Sequence, residues 1–159
     1  MSTSPVIFAI DPGLNGAWAA LDYYGKFMEA GELPRFSSML DGVALRRIID
    51  KFKPRQGVIE RVHSMPKQGV ASAFTFGCAY GISVGVMAGA MMPTAYVTPQ
   101  KWKNHFRLIG TEKDGSVQRV VQLYPEAGTF LTLKKHHGRA DAILLARFFF
   151  DMALKGEFV

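Results

Sequence analysis

Three carboxylates in this chain end or interrupt hydrophobic runs: Asp11 closes VIFAID, Glu60 closes GVIE, and Asp141 lies inside RADAILLA. A carboxylate at the end of a buried strand is costly to desolvate unless a cation or hydrogen-bond donors meet it. Three such groups converging on one spot would repel each other, raise one another's pKa and favour a divalent cation. Hard oxygen ligands with room for water suit Mg²⁺ or Mn²⁺ better than zinc. Taken singly, each acid has a plainer reading as an element end paired with a base such as Arg61 or Arg139. Taken together, at two strand ends and on a C-terminal helix, they read as one site.

Basic residues cluster beside these acids. Arg61, Lys67 and Gln68 follow Glu60, Lys101, Lys103 and Arg107 follow a later strand, and Lys134, Lys135 and Arg139 precede Asp141. Such residues would contact phosphates and set position without reading sequence. The alternative is three ordinary solvated loops. The chain carries 19 Lys+Arg against 13 Asp+Glu, a net charge of +6, which favours a nucleic acid over a membrane surface. Its 159 residues, 48% hydrophobic and 20% charged, suit a single domain over 1–159 with a proper core. The single cysteine, Cys78, allows no internal disulfide and no thiolate zinc cluster. The opening MSTSPVIFAID lacks a basic n-region and a long apolar run. The expected setting is intracellular, in bacterial or phage-infected cytoplasm, with no signal or transit peptide.

The elements that must position the acids follow from periodicity and breakers. Val6–Ile10 reads as a central strand buried on both faces. Gly16–Leu21 and Lys26–Leu33 follow as strands joined in two hairpins. A helix is expected over Ser37–Phe52, ended by Pro54. Gln56–Val62 is a fourth strand, Pro93–Thr98 a fifth, and Pro99–Phe106 a short helix with Trp102 and Phe106 in the core. Thr111 or Asp114 caps a helix through Leu123, and the last helix runs from about Gly138 to Leu154. From Gly69 to Gln100 there is no charged residue, and Ala71 to Met92 is long enough to span a bilayer. Its many small residues give little transfer energy, so it reads as a buried soluble helix rather than a membrane span. Gly77, Gly81, Gly85 and Gly89 lay a groove along it, for a second copy of the chain or for the sheet. The whole predicts an α/β fold, a five-stranded mixed sheet with helices on both faces. The turn Asp11–Gly16 could cradle a phosphate, but a two-lobed nucleotide fold needs a longer chain and no P-loop is present. No nucleotide cofactor is expected.

The series DPGLNGAWA, VIERVHSMPKQGVASAFTFGCAYG, KWKNHF and LKKHHGRADAILLA resembles the RuvC-like Holliday-junction resolvases, above all the branch with the plastid resolvase of plants and related phage and bacterial endonucleases. The resemblance implies an RNase H-like fold, a homodimer, and magnesium-dependent paired nicking of four-way DNA junctions. It puts Asp11, Glu60 and Asp141 on metal-binding positions, His137 on an active-site histidine, and Lys113 on a lysine near the scissile phosphate. Three departures stand. Gly138 occupies a place where many bacterial members have an acid or histidine, and the last acid is Asp141 where this branch commonly has Glu. His63 occupies the place of an aromatic wedge, a role that would pass to Met65 or be absent.

Phosphodiester hydrolysis with two metals needs one to hold the water and one the leaving group. Asp11 is the candidate bridge between two Mg²⁺ (Mn²⁺ being the other option), with Glu60 and Asp141 each completing one shell. His137 would ligate, orient water or relay its proton, the alternative being a phosphate contact or an exposed helix cap. Its neighbour His136 reads as a surface residue. The expected function is a metal-dependent, structure-selective endonuclease that resolves four-way junctions. The alternatives are a less selective phage debranching endonuclease on branched replication intermediates, a non-catalytic nucleic-acid-binding module, and a small membrane protein.

Overall fold

The computed structural model describes residues 5–157. The reading of the first residues as free of a targeting signal falls partly outside that range. The chain opens with an antiparallel meander of β1 (Ile7–Asp11), β2 (Ala17–Leu21) and β3 (Phe27–Glu32), the two hairpins expected from the turn residues. A short hairpin of β4 (Arg35–Phe36) and β5 (Met39–Leu40) precedes α1 (Gly42–Phe52). Next come β6 (Gln56–Glu60), α2 (Val70–Gly89), β7 (Thr94–Val97), α3 (Pro99–His105) and α4 (Gly115–Leu123). Two 3₁₀ turns, Pro125–Phe130 and Lys134–His136, lead into α5 (His137–Leu154).

The strand order β3-β2-β1-β6-β7 puts β1 in the centre, with β6 and β7 parallel to it. Side chains alternate across the sheet. Phe8, Ile10, Trp18, Ala20 and Ile59 face one layer with Leu45 and Ile49 of α1 and Ala79 and Met87 of α2. Ile7, Ala9, Ala17, Ala19, Val58 and Val97 face the other, with Trp102, Val120 and the apolar side of α5. That second layer holds Ile143, Leu144 and Leu145, none of them more than 1% exposed. Helices therefore cover both faces, as the run of apolar residues in β1 predicts.

Two expectations need correction. The helix read over Ser37–Phe52 begins only at Gly42. Ser37 has a positive φ of 58°, which makes a hairpin tip, and the Asp41 carboxylate accepts the Ala44 N–H at 2.9 Å as an N-cap. Leu40, read as a helical core residue, is a buried strand residue instead. The glycine-rich helix is also not buried all round. Only Ala79, Ser83 and Met87 of α2 are buried, because a helix lying on a sheet hides one stripe. Gly77, Gly81, Gly85 and Gly89 lie off that stripe, and a Cβ on any of them would meet nothing within 4 Å. By length and composition α2 is also apolar enough to cross a membrane.

Candidate active site

The pleat and register bring two of the acids together. Asp11 follows Ile7 and Ala9 on the face of the sheet that meets α5, and Glu60 follows Val58 on the same face. The parallel register pairs Ile10 with Ile59, so Asp11 and Glu60 close adjacent strands side by side. The turn after β1 is held by the Gly16 N–H donating to the Gly13 carbonyl at 3.1 Å. A side chain at Gly16 would bring a Cβ 2.2 Å from the Asp11 carbonyl oxygen, so only glycine closes this turn. The third acid arrives from above, on α5. Gly138, one turn before Asp141, is buried, and a Cβ there would lie 3.4 Å from Asp11 Oδ2. The missing side chain lets the first turn of α5 sit directly on the end of β1.

The electrostatics follow from that meeting. Burial first, then the Asp141 and Glu60 carboxylates, push Asp11 well above the usual carboxylate range, with Lys103 opposing. Burial raises Glu60, and the Trp102 hydrogen bond and Lys103 lower it, while Asp141 raises it. Burial raises Asp141 too, against the lowering effect of the Ser116 hydroxyl, Lys103 and His137. Among the described residues no ion pair involves any of the three acids; every paired carboxylate lies elsewhere. The plainer reading, each acid locked to its own arginine, is therefore set aside.

Among the described residues no group of three His, Cys, Asp or Glu side chains is arranged to hold a metal ion as it stands. The donor set still fits Mg²⁺ or Mn²⁺. Mg²⁺ keeps several waters and is commonly held by one or two carboxylates plus a substrate phosphate, not by a closed protein cage. Half-buried acids that repel each other and form no ion pair among the described residues, two of them opening onto clefts, supply such partial sites. A cleft of about 550 Å³ is lined by Asp11, Gly13, Asn15 and Gln68, and one of about 270 Å³ by Lys103, Lys113, Ser116, His137 and Asp141.

His137 is exposed at the start of α5, one turn before Asp141, with Nδ1 3.2 Å from the Lys134 carbonyl. A carbonyl only accepts, so Nδ1 carries the proton of that bond and Nε2 is left free. Lys113 is exposed on the wall of the smaller cleft, which it shares with Asp141 but not with Asp11 or Glu60. Lys103, expected only as a phosphate contact, acts on all three carboxylates. Arg61, His63, Met65, Lys67, Lys101 and Lys134 are exposed, while Gln68 accepts the Met65 N–H at 3.1 Å and reaches the larger cleft. Lys135 and Arg139 are partly engaged by Glu32, at 3.2 and 3.7 Å. His136 is not a surface residue: it is 5% exposed, and its Nδ1 accepts the Leu133 N–H at 3.1 Å. Burial and Arg139 lower its pKa, so it stays neutral and structural.

Sequence reasoning missed two partners of the acids. Trp102 is fully buried as expected, yet its Nε1–H donates to Glu60 Oε2 at 2.7 Å. Ser116 is buried on α4 beside Asp141. A buried indole needs an acceptor, and that rule was the available signal for Trp102.

The five-stranded mixed sheet with helices on both faces is the fold of RuvC, an RNase H-like fold. The chain matches the Thermus thermophilus RuvC structure with a TM-score of 0.68 at 17% identity, over 95% of this chain and 96% of that one. It matches T. thermophilus RuvC in complex with a Holliday junction substrate equally well, at 16% identity, TM-score 0.68 and 96% coverage of both chains. The fowlpox virus Holliday junction resolvase matches at 12% identity and TM-score 0.62, over 93% of this chain and 99% of that one. In sequence, the chain is 32% identical over 91 residues to a chloroplastic Holliday junction resolvase of Chlamydomonas reinhardtii, covering 57% of this chain. The chain spans about a tenth, 10%, of the length of that relative. No family model matches the chain. The relative's compartment differs from the bacterial or phage cytoplasm expected from the sequence; an intracellular setting is what the two have in common.

Proposed function

We propose that the chain, as one nuclease domain over 1–159, is a metal-dependent, structure-selective DNA endonuclease that resolves four-way junctions by paired symmetric nicks, working inside cells as a homodimer. The observation that carries the reading is the meeting of Asp11, Glu60 and Asp141 with no ion pair to any of them among the described residues, Asp11 opening onto one cleft and Asp141 onto a second. The 32% identity to a Holliday junction resolvase supports the substrate class.

Asp11, Glu60 and Asp141 would together hold the Mg²⁺ or Mn²⁺ ions, two in the expected mechanism, with Asp11 as the shared ligand. When bound, such ions supply positive charge to the phosphodiester and acidity to the attacking water. The chain's own residues do the rest. In the neutral tautomer whose Nδ1–H donates to the Lys134 carbonyl, His137 Nε2 is the acceptor and would take the proton of the water. Lys113 and Lys103 line the smaller cleft beside Asp141 and would offset charge that builds on the phosphate. The exposed Arg61, Lys67, Lys101 and Lys134 would carry the flanking backbone, with Lys135, Arg139, Gln68, His63 and Met65 as further DNA contacts. A second copy of the chain would seat on the outward glycine row of α2, where backbones approach closely. Twofold symmetry then presents two sites to two opposed strands.

A labelled synthetic four-way junction tests the reading, beside a fork, a flap and linear duplex. The expected result is symmetric nicking of the junction with Mg²⁺ and none with chelator. Equal cutting of all branched substrates would replace junction resolution with general debranching. An uncut junction that is nonetheless bound would leave a binding module.

A further inference from the structure

Trp102 sits on the seven-residue helix α3, which begins with Pro99 in its first turn. Its indole is fully buried, and its one polar atom finds its partner in Glu60 Oε2 at 2.7 Å. A bond of that length from a neutral donor to a carboxylate is charge-assisted. The helix itself is pinned: His105 Nε2 lies 2.8 Å from Asp151 Oδ2, and Arg147 Nε donates to Asp151 Oδ1 at 2.7 Å. Asp151 and Arg147 belong to α5, the helix that carries Asp141. One rigid path thus joins the element bearing the third acid to the side chain that holds the second.

We infer that Trp102 is a positioning residue for the candidate metal site: its indole N–H holds Glu60 Oε2 and leaves Oε1 as the oxygen offered to a cation. The inference rests on the proposed metal-dependent reading and adds to it a residue that touches neither metal nor DNA. An indole only donates, so it cannot take a proton from Glu60 or serve as a ligand. Its contribution is orientation. It fixes the Glu60 rotamer and takes up one acceptor site of Oε2, which leaves Oε1 the freer oxygen. Partners that orient a ligand in this way commonly govern metal affinity by about 10–100-fold.

The chain has two tryptophans, which makes the test direct. Trp18 stacks on Phe8 in the opposite layer, at 5.6 Å between ring centroids. The indole N–H resonances of ¹⁵N-labelled protein are followed through a Mg²⁺ titration without DNA, with Mn²⁺ affinity measured in parallel by electron paramagnetic resonance. The Trp102 resonance should move and saturate with the metal while that of Trp18 stays, and Glu60→Gln should abolish the response. Trp102→Phe keeps the ring and loses the donor. It should weaken Mn²⁺ binding by about 10-fold and raise the Mg²⁺ needed for half-maximal nicking in proportion, with junction binding in chelator unchanged. If Trp102→Phe fails to fold, the wild-type titration decides alone. Metal binding with a stationary Trp102 resonance, or wild-type affinity in a folded Trp102→Phe, overturns the inference and leaves the nuclease reading standing. No metal binding by the wild type overturns both.

Discussion

Replacing Asp11 by Asn should stabilise the metal-free protein while abolishing its nicking. The carboxylate ends β1 beside Glu60 and under Asp141, and burial together with both neighbours raises its pKa well above the ordinary 3.8. Adjacent strands stand about 4.8 Å apart. Two like charges about 6 Å apart in an effective dielectric near 20 repel by roughly 3 kcal/mol. Lys103 offsets part of this, and Glu60 is held toward Trp102. The net gain from Asn is about 1–2 kcal/mol, the size usual for relieving active-site strain. In a chain of this length that is roughly 2–8 °C in melting temperature. A group whose folded pKa is raised binds its proton more tightly when folded, so wild-type stability falls as pH rises from the ordinary carboxylate range through the raised value. The variant's advantage in chelator should therefore be full above the raised value and shrink toward pH 4. Mg²⁺ should raise the wild-type melting temperature and not that of the variant. A lower melting temperature for Asp11→Asn, or a gap independent of pH, would refute the clustering of charges on which the site is built.

Further outcomes follow from single positions. His136→Ala empties a buried position and removes the acceptor of the part-buried Leu133 N–H, and should cost about 1–2 kcal/mol, whereas His137→Ala should leave the melting temperature unchanged and slow nicking about 10²–10⁴-fold. Gly138→Ala fits in ordinary contact, its Cβ 3.4 Å from Asp11 Oδ2, so it should fold; Gly138→Val should lift α5 from β1 and destabilise by about 1–3 kcal/mol. Gly81→Leu should leave the monomer fold intact, since nothing lies within 4 Å of its Cβ, and should convert a dimer to a monomer by light scattering. A Gly81→Leu protein that remains dimeric would move the interface elsewhere.

What could be read ahead of the structure divides along physical lines. Uninterrupted apolar runs and turn residues made β1, its two hairpins and α5 legible, and the acids at their ends came with them. Short-range chemistry was harder. The β4–β5 hairpin depends on one left-handed residue, Ser37, in a stretch whose apolar spacing also satisfies a helix. His136 and His137 are adjacent and alike in type, and only the 3₁₀ turn before α5 decides which is buried. The glycine row of α2 was open to a second copy of the chain or to the sheet, and the sheet is not its neighbour, since a Cβ on any of the four meets nothing within 4 Å. The hydrogen bond from Trp102 to Glu60 joins residues 42 apart in sequence, a pairing no local pattern carries.

The account stands on Asp11, Glu60 and Asp141 sharing divalent cations. Crystals of the protein soaked in Mn²⁺ and measured for anomalous scattering test this most directly. The account predicts peaks within carboxylate ligand distance of Asp11, flanked by Glu60 Oε1 and by Asp141. A map with no Mn²⁺ at these oxygens, under conditions where the same protein cuts a junction, would contradict it.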